Sequence, residues 1–171
     1  MIIAKLAAIL ALGVALAACG SHRATTIQTN NGTATITSSQ DNKNVTVRSK
    51  EGTTSIGQSV DTAKLGAPVY PGAQANPQGA ISSTNDKGAS VMAGFKTSDP
   101  FDKVEAYYKQ QLPAGSEKMN ATNANGSVAS FQIGAPDAND QVAVQVSSSK
   151  PGETDILITH VTKTGASPSG S

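Results

Sequence analysis

Val91-Met92-Ala93-Gly94-Phe95-Lys96-Thr97-Ser98-Asp99-Pro100-Phe101-Asp102-Lys103-Val104-Glu105-Ala106-Tyr107-Tyr108-Lys109-Gln110-Gln111-Leu112 changes its hydrophobic period halfway along. Val91, Ala93 and Phe95 alternate, which puts three apolar side chains on one side of a strand. Phe101, Val104, Tyr108 and Leu112 then recur every three or four residues, the spacing of one helix face. The switch falls at Asp99-Pro100. An Asp before the first turn can accept from free N–H groups, and Pro suits the first helical position because it has no N–H to leave unpaired. Asp102 adds a carboxylate where the helix dipole favours one. Glu105 and Lys109 stand four apart as a helix surface pair, and Pro113 ends the helix.

Both flanks of this stretch read as strand. Upstream, Ala80–Thr84 and Ala89–Thr97 enclose the turn Asn85-Asp86-Lys87-Gly88. Downstream, Ala129, Phe131 and Ile133 form one alternating set and Val142, Val144 and Val146 another. In Asp155–Lys163, Ile156 and Ile158 share a face opposite Leu157 and Val161, and Lys118–Thr122 reads as a weaker strand. Hairpin-linked strands with one helix predict an α+β domain over 69–163, an antiparallel sheet covered by one amphipathic helix. Large apolar residues are sparse, so its core is expected to be small. In Tyr70-Pro71-Gly72-Ala73, Pro followed by Gly suits a tight turn with a positive φ at Gly.

Further upstream the chain repeats at an offset of 20 residues. Ile27-Gln28-Thr29-Asn30-Asn31-Gly32-Thr33-Ala34-Thr35-Ile36 aligns with Val47-Arg48-Ser49-Lys50-Glu51-Gly52-Thr53-Thr54-Ser55-Ile56. Each copy is a β-rich run, a polar turn ending in Gly and a second β-rich run, which predicts an N-terminal β-hairpin repeat over 26–57. Two copies are too few for a solenoid. Residues 58–68 read as a linker, and 164–171 as a disordered tail of small residues.

The first 18 residues have the pattern of a targeting segment: Lys5, an apolar run from Leu6 to Leu16, then small Ala17 and Ala18 before Cys19. The apolar run is too short to span a bilayer, which takes roughly 20 residues. Leu16-Ala17-Ala18-Cys19 resembles the lipobox of bacterial lipoprotein precursors. The resemblance implies a signal peptide over 1–18, cleavage between Ala18 and Cys19, and lipid attachment at Cys19, with 19–25 as a lipidated tether. Gly20 rather than Asp after Cys19 favours, in a Gram-negative host, the outer membrane facing the periplasm. A second resemblance covers Pro68-Val69-Tyr70-Pro71-Gly72-Ala73, Phe95-Lys96-Thr97-Ser98-Asp99 and Val104-Glu105-Ala106-Tyr107-Tyr108-Lys109. These segments are similar to small bacterial envelope proteins, often lipoproteins, that carry a YPGA, F-x-T-x-D and FYK-like module. That similarity implies a structural module and no particular activity.

Without the first 18 residues the chain has 12 basic and 12 acidic residues, since Lys5 is the one charge removed. No basic run is present, so nucleic acid is not an expected partner. Membrane contact is expected through covalent lipid, with an envelope protein as a further partner.

Chemistry-bearing residues are few. Cys19 is the single cysteine, and lipidation would remove it as a nucleophile. His22 lies beside the anchor, and His160 reads as a strand residue rather than a ligand. Asp99 and Asp102 fit a helix start, and Asp137 and Asp140 flank a turn. No serine sits in a nucleophile motif. Asn31, Asn44, Asn120 and Asn125 open N-x-S/T triplets that reflect composition. Tyr70 and Tyr107 could line a groove under the helix and touch a ligand, with Tyr108 in the core. No catalytic residue, cofactor or metal is expected. The sequence reading is thus a non-enzymatic, membrane-anchored envelope lipoprotein serving as a structural or protein-interaction accessory. The alternative is a small-molecule or lipid-binding envelope module. On the first reading, crosslinking of a C-terminally tagged chain in intact cells is expected to capture one dominant partner that Cys19→Ala loses; no reproducible partner would count against it.

Overall fold

The alternating stretches pair in a computed structural model that describes residues 22–29, 32–39, 43–58, 61–150 and 152–164. The strands are β1 (His22–Thr29), β2 (Gly32–Ser39), β3 (Asn44–Ser49), β4 (Gly52–Gly57), β5 (Gln74–Asn85), β6 (Gly88–Thr97), β7 (Glu117–Asn123), β8 (Gly126–Ile133), β9 (Asp140–Lys150) and β10 (Glu153–Lys163). One helix, α1 (Phe101–Gln111), separates β6 from β7. All ten strands form one sheet in the order β1-β2-β3-β4-β5-β6-β10-β9-β8-β7, every neighbouring pair antiparallel. The chain leaves β6 in mid-sheet, crosses one face through α1, starts again at the far edge and meanders back until β10 pairs with β6. The α+β class, an antiparallel sheet with a single helix, is therefore as the sequence predicts.

Side-chain parity builds the core on the helix-covered face. Val91, Ala93 and Phe95 of β6 stand opposite His160, Ile158 and Ile156 of β10, which in turn oppose Val142, Val144 and Val146 of β9. All but His160 are buried. α1 lays Phe101, Val104 and Tyr108 over β8, β9 and β10, with Tyr108 against Phe131 of β8. Three ring contacts run inward in a line: Tyr70–Tyr107 at 5.1 Å and Tyr107–Tyr108 at 5.2 Å, both edge-on, then Tyr108–Phe131, tilted, at 6.0 Å. Such edge-to-face packing adds to the apolar burial of each ring.

Four local expectations change. Pro100, not Asp99, is the helix N-cap residue, and no side chain caps the first turn. Glu105 is buried rather than on the surface; besides Lys109 it meets Asn120 Nδ2 of β7, and Lys109 reaches Glu117, which ties the helix to the edge strand. Residues 58–68 are not simply a linker, because Leu65 is fully enclosed in the core. The tether assigned to 19–25 is also too long, since β1 takes in His22–Thr25. β1 to β4 are continuous with the main sheet through the β4–β5 pairing rather than a separate unit. The Tyr70-Pro71-Gly72-Ala73 turn is closed by Ala73 N–H donating to Tyr70 O, with Gly72 at φ 80° as required.

Among the described residues the opposite sheet face carries no helix. There Ile56, Ile81 and Met92 lie side by side in register on β4, β5 and β6, each more than 40% exposed. The two faces predict opposite mutational costs. Phe131→Ala should cost about 3–5 kcal/mol in urea unfolding, the usual range for emptying an aromatic site. Met92→Ala should stay within about 0.5 kcal/mol, as surface changes do.

Candidate functional site

The helix–sheet interior offers no groove, because Val104, Tyr108 and Ile158 have no exposed surface. Open space lies instead where α1 stops covering the sheet. After β4 the chain turns back across the covered face. Asp61 Oδ1 accepts from Ala63 N–H and starts one 3-10 turn, Thr62–Lys64. Leu65 then drops into the core. Gly66 follows at φ 66°, and a Cβ there would come within 2.6 Å of Val142 Cγ2, so only glycine lets the chain lie this close to the sheet.

Beneath Asp61 and Lys64 is a cavity of about 340 Å³. Its floor is the covered face of β4, β5 and β6. Ser55, Ser82 and Thr84 supply hydroxyls there, and Ala80, Ala89 and Val91 supply apolar surface, with Asn44 at one end. Asp61 and Lys64 form an exposed ion pair at 3.7 Å on the rim. A larger hollow of about 870 Å³ lies between the turns at Lys50-Glu51 and Asp86-Lys87, walled by exposed side chains and far less enclosed.

His160 lies beside the first cavity, opposite Val91. Its Nδ1 is 2.6 Å from Lys64 O, and its Nε2 is 2.7 Å from Asp140 Oδ1. Both partners can only accept, so both ring nitrogens donate, and that requires the imidazolium. Burial works against this charge, yet the Lys64 carbonyl and the Asp140 carboxylate outweigh it and raise the pKa above the ordinary histidine value. Sequence reasoning took His160 and Asp140 singly. Only the β9–β10 register, which brings Asp140 opposite Thr162, puts them together. Asp137 remains in its turn, and no group of three metal-ligating side chains forms among the described residues.

Tyr70 and Tyr107 do share a cleft, of about 450 Å³, with Pro71, Asp99, Lys103, Ala106 and Gln110. It lies outside α1, not beneath it. Tyr70 is itself buried, and its hydroxyl donates to Asp99 Oδ2 at 2.7 Å; Lys103 Nζ reaches the same oxygen at 3.0 Å. Burial first, and then Asp99, raises the Tyr70 pKa, while the Tyr70 and Lys103 hydrogen bonds hold Asp99 below the usual carboxylate range. Asp99 thus braces the turn before β5 against the helix start instead of capping it. Thr154 Oγ1, donating to Asp99 O, adds β10 to the same junction. Tyr108 Oη is sealed in the core without a standard hydrogen bond, and burial pushes its pKa strongly up. The lipid-attachment candidate Cys19, the cleavage residue Ala18 and the side chain of His22 lie outside the described residues.

A protein-family model described as START domain-like matches residues 75–156, or 82 of 171. The match runs from β5 through α1 into β10 and takes in Ala80, Ser82, Thr84, Ala89 and Val91 of the cavity floor. Comparison with curated proteins and with solved structures gives no match.

The Asp99 junction has a defined acid limb. A lowered carboxyl pKa stabilises the fold above the unfolded-state value, and that contribution disappears as the pH falls through the folded one. Tyr70→Phe removes the leading hydrogen bond, so the Asp99 carboxyl, followed by NMR, should titrate at higher pH than in the wild type.

Proposed function

We propose that this protein is a membrane-tethered envelope module that binds a small ligand in the cavity between the Asp61–Leu65 segment and strands β4–β6. The observation that carries the reading is the cavity itself. It lies between the Asp61–Lys64 turn and the sheet, and it offers the hydroxyl groups of Ser55, Ser82 and Thr84 beside the apolar Ala80, Ala89 and Val91. Ligand sites typically combine an apolar lining with a few placed polar groups in about 300–1,000 Å³, and 340 Å³ lies at the small end. The START domain-like match supports a ligand-binding module and takes in the β5 and β6 part of the floor. Tethering rests on the Leu16-Ala17-Ala18-Cys19 pattern. In this reading the protein binds rather than catalyses, because both nitrogens of His160 are already engaged. We also read β1–β2 and β3–β4 as two copies of one hairpin unit that extends the sheet beside the cavity.

The interaction-accessory reading, first on sequence grounds, comes second here. Its support is the row Ile56, Ile81 and Met92 on the helix-free face, since exposed apolar patches mark contact surfaces.

The test is a thermal-shift screen of the full mature protein in detergent against small-molecule and lipid fractions of the host envelope. A ligand at 100 times its Kd stabilises by about 2.7 kcal/mol, a readily measured rise in Tm. Ser82→Phe, which fills the cavity from the floor, should keep the ligand-free Tm within a few degrees and lose the response. A wild type that responds to no fraction, or a Ser82→Phe variant that responds equally, would sink the reading.

A further inference from the structure

Among the described residues, few groups hold the segment that roofs the cavity, and one of them titrates. Leu65 anchors it by burial, and Gly66 lies against the His160 ring, with the Cβ position 3.3 Å from Nδ1. His160 supplies the polar hold, donating from Nδ1 to the Lys64 carbonyl at the end of the 3-10 turn. Its second donor goes to Asp140 on β9, so one ring links β10, β9 and the roof.

We infer that His160 is a protonation-dependent latch on the roof: as an imidazolium it clamps the Asp61–Gly66 segment over the cavity, and as a neutral ring it loosens that segment and opens the site. The inference rests on the cavity being the ligand site and adds how access to it is controlled.

A neutral imidazole has one N–H. With acceptors on both sides, one nitrogen must then point a lone pair at an oxygen that can only accept. Either the Lys64 bond goes, or it survives without the positive ring that strengthens it. Asp140 is largely exposed and turns to water at little cost, while the Lys64 carbonyl is carried by the roof backbone. Among the described residues, the charged groups facing the ring are few. Asp140 comes from β9, and the Asp61–Lys64 pair from the roof, its two charges offsetting each other. On β6 the opposing residue is Val91, and on β9 it is Val142, both uncharged. Lys163, three residues along β10, has the parity of the other face. Asp140 is therefore the carboxylate that favours the imidazolium. The sign follows: a raised histidine pKa means that the clamp is fully present at low pH and is lost as the pH rises through the folded-state value.

His22 and His160 are the two histidines of the chain, so their imidazole signals are readily assigned. The experiment uses the full mature protein in detergent micelles and reads three NMR quantities across the His160 titration. His160 should titrate above the ordinary histidine value, and Asp140→Asn should lower it. Amide exchange at Leu65 and Gly66, corrected for its intrinsic pH dependence, should accelerate about fivefold as His160 deprotonates, the effect of losing one hydrogen bond. His160→Gln, which still offers an N–H to Lys64 O, should abolish that pH dependence. Xenon-induced shifts at the Ala80, Ala89 and Val91 methyls should report the cavity and grow on the alkaline side. Exchange that stays flat while His160 titrates, or His160 titrating at or below the ordinary histidine value, overturns the latch. Normal latch behaviour with no xenon shift at those methyls overturns the cavity reading instead, and so separates the two failures.

Discussion

The pairing of β6 with β10 is the contact on which the rest of the structure depends. It runs in unbroken register from Thr97–Thr154 at one end to Gly88–Lys163 at the other, and joins residues more than fifty positions apart in sequence. Closing a chain segment of that length costs entropy before any contact rewards it, so the two strands must supply a long ladder and a buried face. They do: Phe95 with Ile156 and Ala93 with Ile158 sit at the centre of the core. Everything before β6 is a meander that could form from one end, and everything after α1 is a meander that could form from the other. Without β10 against β6 the two halves would share no sheet, and His160 would have no roof to hold.

How much was legible follows from the range of each signal. The strand-to-helix switch at Asp99-Pro100 is local, and so are the alternating sets in β8, β9 and β10; each was readable because its period is written in adjacent residues. Leu157 and Val161 opposite Ile156 and Ile158 likewise needed only parity. What failed was of two kinds. Asp99 looked like a cap because cap preference is local, but Tyr70, 29 residues earlier, competes for the same carboxylate and Lys103 joins it. Residues 58–68 read as a linker from sequence; that Leu65 among them is wholly buried depends on a sheet assembled elsewhere. The His160–Asp140 contact belongs to the second kind too. Its two residues stand on neighbouring strands, and no spacing rule pairs them until the β9–β10 register is known.

The position of the cavity follows from a mismatch in size. An α-helix rises 1.5 Å per residue, so the eleven residues of α1 extend about 16 Å. Ten strands spaced about 4.8 Å apart make a sheet roughly 43 Å wide. One helix covers β8, β9 and β10 and little else. The next strands, β6 to β4, need another cover, and the chain provides it with the irregular segment between β4 and β5. Such a segment cannot interdigitate with a sheet as a helix does, because it has no regular ridge of side chains. It touches down at Leu65, bridges over Ser55, Ser82 and Ala89, and leaves the space between as the cavity. The sheet twist makes this worse for a straight cover and easier for a bent one, since neighbouring strands rotate by about 20°.

The same mismatch explains why the polar hold is at His160 and not further out. β10 is the last strand under the helix and β6 the first beyond it, so position 160 lies where regular packing ends. An apolar residue there would bury well against Val91 and Val142 but would offer the Lys64 carbonyl no donor. Lysine would bring donors on a flexible stem that has no reason to stay on the carbonyl. Histidine is flat enough to lie under Gly66, where no side chain fits, and has a donor at each end of the ring. Its neutral form has only one. A residue selected by geometry to join the roof to the sheet therefore brings a protonation equilibrium with it, and the boundary between the helix-packed half and the loop-covered half becomes the place where pH can act on the fold.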